Sequence, residues 1–178
     1  MGPRMGLLDR FRTKPAAPQG NESPAAAPMP PLIYSWVITG RLAIGPMPRS
    51  EAHWQQLTGA GFRSRFSCCY PEEEVYAPPP QEWLQGGVCL PDHRRQERLR
   101  PERLAEALSE AQKIIETQPA TYLHCMAGME RSPLIAVGLL AREREIDVLE
   151  ALEAIRLCHP RAQPIYSDLD LLEQVLKG

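Results

Sequence analysis

Residues 121–133 read Thr121-Tyr-Leu-His-Cys125-Met-Ala-Gly-Met-Glu-Arg131-Ser-Pro133, and an almost wholly apolar run from Leu134 to Leu140 follows them. The tyrosine and leucine near its start favour strands, which predicts a short strand ending near Cys125. Serine often caps a helix N-terminus and proline suits the first helical position, so Ser132 is predicted to cap a helix. The stretch therefore predicts a strand, a tight loop and a buried helix in succession.

The loop from Cys125 to Arg131 lies at this predicted helix N-terminus, where backbone N–H groups and the helix dipole attract anions. The same field favours the thiolate of Cys125, which is the nucleophilic form of cysteine. The planar guanidinium of Arg131 suits two oxygens of one phosphate. A nucleophile and an oxyanion-binding group thus share one phosphate-sized nest. The residues expected to line it are Met126, Ala127, Gly128, Met129, Glu130 and Arg131.

The pattern His124-Cys125, five residues, Arg131-Ser132 resembles the catalytic loop of the cysteine-dependent protein phosphatases, and the surrounding chain resembles their small dual-specificity branch. The resemblance covers about residues 33–178, and the motifs match from about 88 to 142. It implies an α/β fold with a central, mostly parallel sheet flanked by helices, and hydrolysis of phosphate monoesters through a phosphocysteine. The alternatives are a buried structural cysteine and a rhodanese-like sulfurtransferase, whose loop usually differs in length.

Asp92 follows a predicted strand and stands 33 residues before Cys125, in a loop that can reach a ligand at the sheet edge. In the resembling family an aspartate from such a loop protonates the leaving oxygen, and Asp92 fits that role. The alternative is a turn residue or helix cap. The resemblance gives Ser132 the hydroxyl that eases departure of the sulfur, and His124 would support the loop through hydrogen bonds. His93 is left without a role.

The composition is that of an ordinary globular domain: 178 residues, 43% hydrophobic, 24% charged, with a formal net charge of −2. It does not indicate a nucleic-acid-binding protein. The five cysteines form no C-x-x-C pair, which fits free thiols in a reducing cytoplasm, and no cluster has the spacing of a metal site. We expect a cytoplasmic monomer without metal, other cofactor or transmembrane segment, acting on a phosphorylated protein or another anionic phosphate ester.

Residues 1–32 differ from the rest of the chain, since seven of the nineteen prolines fall in residues 1–31. Such a segment cannot bury enough apolar surface to offset its ordering entropy. We predict a disordered Pro/Ala-rich leader over residues 1–32 and a phosphatase-like catalytic domain over residues 33–178. A weak membrane or partner anchor through Leu7, Leu8 and Phe11 is the alternative for the leader.

From residue 33 onward, strand and helix patterns alternate, which predicts an α/β fold. The predicted strands span residues 34–38, 41–44, 62–69 and 86–90, besides the one before Cys125. The predicted helices span residues 51–60, capped by Ser50, then 101–117, 147–158, whose apolar contacts include Leu149 and Leu157, and 165–176. A short helix carrying Trp83 is predicted after the prolines at 78–80, and the acidic run at 71–74 is predicted to be a solvated loop.

The loop interior carries no lysine or arginine, and Glu130 would repel additional phosphates. Phosphotyrosine, phosphoserine and phosphothreonine proteins are therefore the favoured substrates. Phospho-glucan, nucleotide, phosphoinositide and RNA esters are alternatives, as is a phosphate-binding module that turns over weakly or not at all. Residues 94–103 carry a net charge of +3, which either attracts anionic substrates or marks a solvated helix start.

Cys68 and Cys69 end the predicted strand at residues 62–69, which the resembling fold sets beside the one ending at Cys125. A neighbouring thiol can trap an oxidised cysteine as a disulfide. Successive strand residues point to opposite faces, so at most one of the two should face the loop. Cys69, nearer the strand's end, is the favoured partner, and two inert buried thiols are the alternative.

Overall fold

The strand before Cys125 forms the centre of a five-stranded sheet in the computed structural model, which describes residues 29–118 and 120–178. The strands are β1 (Ser35–Ile38), β2 (Leu42–Pro46), β3 (Ser64–Ser67), β4 (Leu84–Gly87) and β5 (Thr121–Cys125). Their spatial order is β1-β2-β5-β3-β4, and only the β1–β2 pair is antiparallel. The predicted α/β fold with a mostly parallel central sheet is confirmed.

The described residues form five α-helices and a short 3₁₀ turn at Pro71–Glu73. The helices are α1 (Glu51–Gly59), α2 (Pro101–Thr117), α3 (Arg131–Arg144), α4 (Val148–Cys158) and α5 (Tyr166–Lys177). The predicted caps of two helices are present, because Ser50 Oγ accepts from His53 N (3.3 Å) and Asp147 Oδ1 accepts from Glu150 N (2.8 Å). These local signals explain why both helices begin where they were predicted.

The sheet separates two apolar cores. Along β5, Tyr122 packs into the core beneath α1, whereas Leu123 packs into the core shared with α2, α3, α4 and α5. Strand alternation explains this division of neighbouring residues between the two faces. Residues 131–141 of α3 are buried throughout, so its apolar run reflects a helix enclosed by its neighbours. Both cores fix the loop that joins β5 to α3.

The predicted helix after the prolines at 78–80 is wrong. Residues 81–83 form a turn and a bend, and β4 begins at Leu84, two residues earlier than predicted. Prolines lack the N–H groups that would extend a helix, and Trp83 is instead buried edge-on against Trp54, with ring centroids 5.6 Å apart. Aromatic packing therefore determines the conformation here.

The predicted contacts of α4 are partly wrong. Leu149 and Leu157 are exposed, at 61% and 87% of their surface, whereas Leu152 and Ile155 are buried. Val148 is the first residue of α4 and packs into the core, so the buried face of the helix consists of Val148, Ala151, Leu152 and Ile155. Because α4 carries leucines on both its buried and its exposed face, residue type alone could not show which of them contact the core.

The folded domain begins before residue 33. Leu32, placed in the leader by sequence, is buried, and its backbone N–H and C=O both bond to the side-chain amide of Gln56 at 2.8 Å. The other predictions for the leader, including the anchor through Leu7, Leu8 and Phe11, fall on residues 1–28, outside the described residues. Within the described residues, no helix is long and apolar enough to cross a membrane.

Candidate active site

The candidate site lies where the loops after β3, β4 and β5 meet at the carboxyl edge of the sheet. The β3–β5 register pairs Ser67 with His124, so the two strands end side by side. A cavity of about 400 Å³ opens between the loops, with Cys125, Arg131, Asp92 and Glu130 among the residues that line it. The predicted nucleophile, arginine and acid are thus brought together in one cavity.

Four carbonyl groups of the loop from Cys125 to Arg131 accept hydrogen bonds from other residues. The donors to these carbonyls are Met47 N to Met126 O (3.3 Å), His159 Nε2 to Gly128 O (2.7 Å), Gln163 N to Met129 O (2.6 Å) and Leu134 N to Glu130 O (3.1 Å). Among the described residues, none of the N–H groups of residues 126–130 donates to a protein acceptor, which leaves them available to an anion, as in an anion-binding nest.

Gly128 and His159 fix the far side of the nest. Gly128 has φ +68°, and a Cβ there would lie 2.5 Å from the carbonyl carbon of Gly45, so only glycine fits. Because Gly128 O can only accept, His159 carries its proton on Nε2, and Nδ1 accepts from Ser35 Oγ at 2.9 Å. His159, predicted to be structural, therefore connects the nest to the first residue of β1.

Ser132 is not the N-cap that the sequence predicted. The helix α3 begins at Arg131 with Glu130 as its cap, and Ser132 is fully buried in the first turn. Its hydroxyl instead donates to Cys125 Sγ at 3.3 Å. The earlier start places the unpaired N–H groups of the first helical turn at the nest. The serine therefore stabilises negative charge on the cysteine sulfur.

Arg131 is nearly buried and is held by a carboxylate that the sequence analysis left without a function. Glu73 accepts from both ends of the guanidinium, at 2.7 Å to Nη1 and 2.8 Å to Nη2. Nη1 also donates to the carbonyls of Cys68 (3.3 Å) and Leu90 (3.2 Å). Among the described residues Arg131 Nε has no partner, so a buried donor is free for an anion.

The interpretation of residues 71–74 as a purely solvated loop is wrong for Glu73, whose side chain is 11% exposed. Burial alone would raise the pKa of Glu73, but hydrogen bonds from Arg131 and from Tyr70 N outweigh it and leave the pKa lowered. The carboxylate is therefore charged and pre-orients Arg131. One signal was available in the sequence, because an acidic run directly after β3 must lie at the edge where β5 ends.

Asp92 lies beside Arg131, with Oδ2 3.3 Å from Nη2, and is 7% exposed. Arg94 donates three hydrogen bonds to its carboxylate, from the backbone N (3.1 Å), from Nε (3.0 Å) and from Nη2 (2.5 Å). Burial raises the pKa of Asp92, but these bonds and the nearby Arg131 outweigh it and leave the pKa lowered. The predicted acid is thus in place and ionised before any ligand binds.

His124 is fully buried beneath the nest and stacks on Tyr122, with ring centroids 5.8 Å apart. Arg65 Nη1 lies 3.3 Å from His124 Nε2, and because a guanidinium only donates, the ring proton belongs on Nδ1. Burial, and then the charge of Arg65, lowers the pKa of His124 to about 3. The imidazole is therefore neutral near neutral pH. Among the described residues its Nδ1 has no hydrogen-bond partner, so the predicted hydrogen bonds from the His124 side chain to the loop are not present.

The strand register favours Cys68, not Cys69, as the neighbour of Cys125. Cys68 N donates to His124 O at 2.9 Å, which continues the β3–β5 pairing and sets Cys68 opposite Cys125. Parallel neighbours lie about 4.8 Å apart, within the Cα range of a disulfide. Burial and the neighbouring Cys125 raise the pKa of the Cys68 thiol, and burial raises the pKa of Cys69 to about 12.

We expect mild peroxide treatment to join Cys125 to Cys68. Peroxide oxidises the Cys125 sulfur to a sulfenic acid; the Cys68 thiol then forms the S–S bond, and water leaves. Peptide mapping should find a 125–68 cross-link that dithiothreitol reverses, retained in Cys69→Ser and lost in Cys68→Ser. Oxidation of Cys125 to sulfinic acid with both neighbours free, or a 125–69 cross-link, would contradict the expectation.

No group of three His, Cys, Asp or Glu side chains is placed to hold a metal ion within residues 29–118 and 120–178. The site consists of a cysteine with a hydroxyl partner, loop N–H groups without a protein acceptor among the described residues, an arginine held by Glu73, and an aspartate beside that arginine. Sequence reasoning missed Glu73, Arg65 and Gln163. Arg65 and Gln163 reach the site only through tertiary packing, and no local pattern marks them.

Solved structures with the same fold are phosphatases and a phosphatase-like protein. PTPMT1, in a complex with PI(5)P, has a TM-score of 0.69 and 19% identity over 81% of this chain and 94% of that chain. Human DUSP28 has a TM-score of 0.64 and 18% identity over 84% and 96%. The human tyrosine phosphatase-like serine/threonine/tyrosine-interacting protein has a TM-score of 0.66 and 13% identity, over 79% of this chain and 93% of that chain. No family model matches the chain. The predicted dual-specificity-phosphatase-like fold is confirmed.

Proposed function

We propose that this protein hydrolyses phosphate monoesters through a phosphocysteine intermediate. The observation that carries the proposal is the nest around Cys125, whose carbonyls accept hydrogen bonds from other residues and whose arginine keeps a buried donor, Nε, without a partner. A dianionic phosphate would pair with this donor and with the loop N–H groups. The shared fold with several phosphatases supports the same activity.

In the first step, the Cys125 thiolate attacks phosphorus and the ester oxygen leaves. Arg131 and the loop N–H groups bind the equatorial oxygens, where charge is spread in the transition state. Glu73 holds the guanidinium in place beforehand, so little reorganisation is needed when the substrate binds. The pre-oriented arginine is thus the main electrostatic contribution of the site.

The leaving oxygen takes its proton from Asp92, which must first become protonated. In the free site Arg94 and Arg131 keep this carboxyl ionised. A bound phosphate dianion competes for Arg131 and repels the Asp92 carboxylate, and both effects raise the pKa of Asp92. Substrate binding therefore favours protonation of Asp92, which then supplies the proton that the leaving group needs.

The second step releases phosphate from the cysteine. Asp92, now a carboxylate, accepts a proton from the attacking water. The hydroxyl of Ser132 donates to the departing sulfur, at the 3.3 Å contact that already exists in the free site. These roles agree with the assignments made for Asp92 and Ser132 from the resemblance.

Phosphorylated proteins are the proposed substrates. Residues 126–130 include no lysine or arginine, and Glu130 places a carboxylate in the cavity that disfavours ligands with further phosphates. Arg94 also lines the cavity, but its guanidinium is paired with Asp92. A phosphoinositide is the alternative substrate, because PTPMT1, which shares this fold, has been solved in complex with PI(5)P. We propose that the protein is a monomer and that it lies in the cytoplasm. The free cysteines support the second point, because thiols stay reduced there. Hydrolysis of p-nitrophenyl phosphate, then of a panel of phosphopeptides and phosphoinositides, tests activity and substrate class.

A binding module that reads phosphate without turnover is the second candidate. The phosphatase-like serine/threonine/tyrosine-interacting protein shares this fold. The presence of Cys125, Arg131 and Asp92 in one cavity favours catalysis over binding alone. Tight phosphopeptide binding by the wild-type protein, with no release of phosphate over hours, would favour the module instead.

Asp92→Asn is expected to lower the rate with an alkyl phosphate by about 100-fold, and with p-nitrophenyl phosphate by less than about 10-fold. The reason is that nitrophenolate leaves readily without a proton, whereas an alkoxide does not. Steady-state kinetics of both substrates measure the difference. Asp170→Asn, an exposed aspartate on α5, serves as the control. Equal losses on the two substrates would assign the acid to another residue.

A further inference from the structure

His93 and Glu130 connect the loop of Asp92 to the phosphate nest. Glu130 Oε1 accepts from His93 N at 2.8 Å, and Oε2 lies 2.6 Å from His93 Nδ1. Because a carboxylate only accepts, the His93 ring carries a proton on Nδ1. The His93 side chain is 69% exposed, whereas that of Glu130 is 16% exposed. A largely buried group of the nest therefore holds an exposed residue of the acid loop.

The surroundings of Glu130 leave His93 as its main partner. In the part of the chain that the structure describes, no lysine or arginine pairs with Glu130. The other charged neighbour is Asp168 in the first turn of α5, whose pKa is raised to about 6 by burial and then by the charge of Glu130. A mostly buried carboxylate beside another acid is costly unless it is hydrogen-bonded. The two bonds from His93 meet that need.

The two flanks of the Asp92 loop are held by different groups of the nest. Before Asp92, the carbonyl of Leu90 accepts from Arg131 Nη1 at 3.2 Å. After Asp92, residue 93 is held by Glu130. Asp92 Oδ2 itself lies 3.3 Å from Arg131 Nη2, and Arg94, which binds Asp92, also contacts Glu73 at 3.4 Å. These contacts all involve Arg131 or Glu73, so the His93–Glu130 pair is a separate attachment of the acid loop to the nest.

We propose that the His93–Glu130 pair is a clamp that sets the position of the general acid Asp92 over Cys125, with His93 acting as a positioning residue. This inference rests on the proposed phosphatase activity. Proton transfer is sensitive to such positioning, since a displacement of about 1 Å can cost about 100-fold in rate. The clamp therefore matters for substrates whose leaving group needs the proton of Asp92.

Two variants of His93 separate the clamp from a simple surface role. His93→Leu keeps a similar size but removes the ring donor, whereas His93→Asn places an amide N–H near the position of Nδ1. We expect His93→Leu to lower kcat for an alkyl phosphate about 10-fold, with a much smaller change in KM. The loss with p-nitrophenyl phosphate should be about threefold or less. His93→Asn should recover most of the loss.

Gln96→Leu, an exposed change on the same loop, is the control for added surface leucine. Glu130→Gln provides a second measurement from the other side of the clamp, because its amide can accept only one of the two bonds. Equal losses on both substrates, or no recovery in His93→Asn, would overturn the clamp while leaving the phosphatase activity intact. A wild-type protein that hydrolyses neither substrate would overturn the proposed function, and the clamp with it.

Discussion

Cys125→Ser is expected to abolish turnover of p-nitrophenyl phosphate, with a loss of about 10⁴-fold or more. The hydroxyl of serine is a far weaker nucleophile than a thiolate, and the neighbouring His124 contacts Arg65 and is not placed to deprotonate it. The backbone nest and Arg131 remain, so binding of a phosphopeptide should persist. Phosphate release and isothermal titration calorimetry measure the two properties separately.

Cys158→Ser is the matched control, because Cys158 is an exposed thiol at the end of α4. It should keep the wild-type rate. Wild-type turnover in Cys125→Ser would eliminate the phosphocysteine mechanism. Loss of both turnover and binding, with an unchanged circular dichroism spectrum, would show that the sulfur itself helps to hold the anion.

Arg131→Lys is expected to lower kcat by about 1,000-fold. A lysine ammonium is a point charge that cannot bind Glu73 and two phosphate oxygens at once. The guanidinium also donates to the carbonyls of Cys68 and Leu90. Lysine has fewer donors, so these buried carbonyls would lose their hydrogen bonds. The thermal midpoint should therefore fall along with the rate, and both are measured on the same preparation.

A double-mutant cycle separates positioning from charge in this prediction. Glu73→Gln keeps Arg131 but weakens its hold, and should lower kcat by about 10-fold. If Glu73 acts through Arg131, the double variant should be little worse than Arg131→Lys alone. Arg103→Lys, an exposed arginine beside Glu106, is the control and should leave kcat unchanged. An Arg131→Lys enzyme within threefold of wild type would refute the oxyanion-binding role.

The parts of the fold that the sequence predicts well are those specified by neighbouring residues. Asp147 and Ser50 cap their helices, and Pro101 starts α2, as each was predicted to do. Local hydrogen-bonding preferences determine these features, so they can be recognised without the structure. The placement of Asp92 near Cys125 came instead from the resemblance to a known family, which supplied what local patterns could not.

The features that sequence reasoning missed depend on contacts between distant segments. Ser132 has the local chemistry of a cap, but α3 starts two residues earlier than predicted, and the hydroxyl of Ser132 donates to Cys125 Sγ instead. Glu73 was interpreted as solvated because its partner Arg131 lies 58 positions away. Which of Cys68 and Cys69 faces Cys125 depends on strand register, which alternation alone leaves open.

The bonds from His159 and Gln163 to the phosphate nest also determine when, during synthesis of the chain, the nest can bind an anion. The carbonyls of Gly128 and Met129 are anchored by residues that leave the ribosome well after Cys125. Domains fold as units while the chain emerges from its N-terminus. A nascent chain that has reached only α3 therefore carries the cysteine without a finished nest. The reactive sulfur acquires its oxyanion-binding surroundings only when the segment up to Gln163 has been made and has packed.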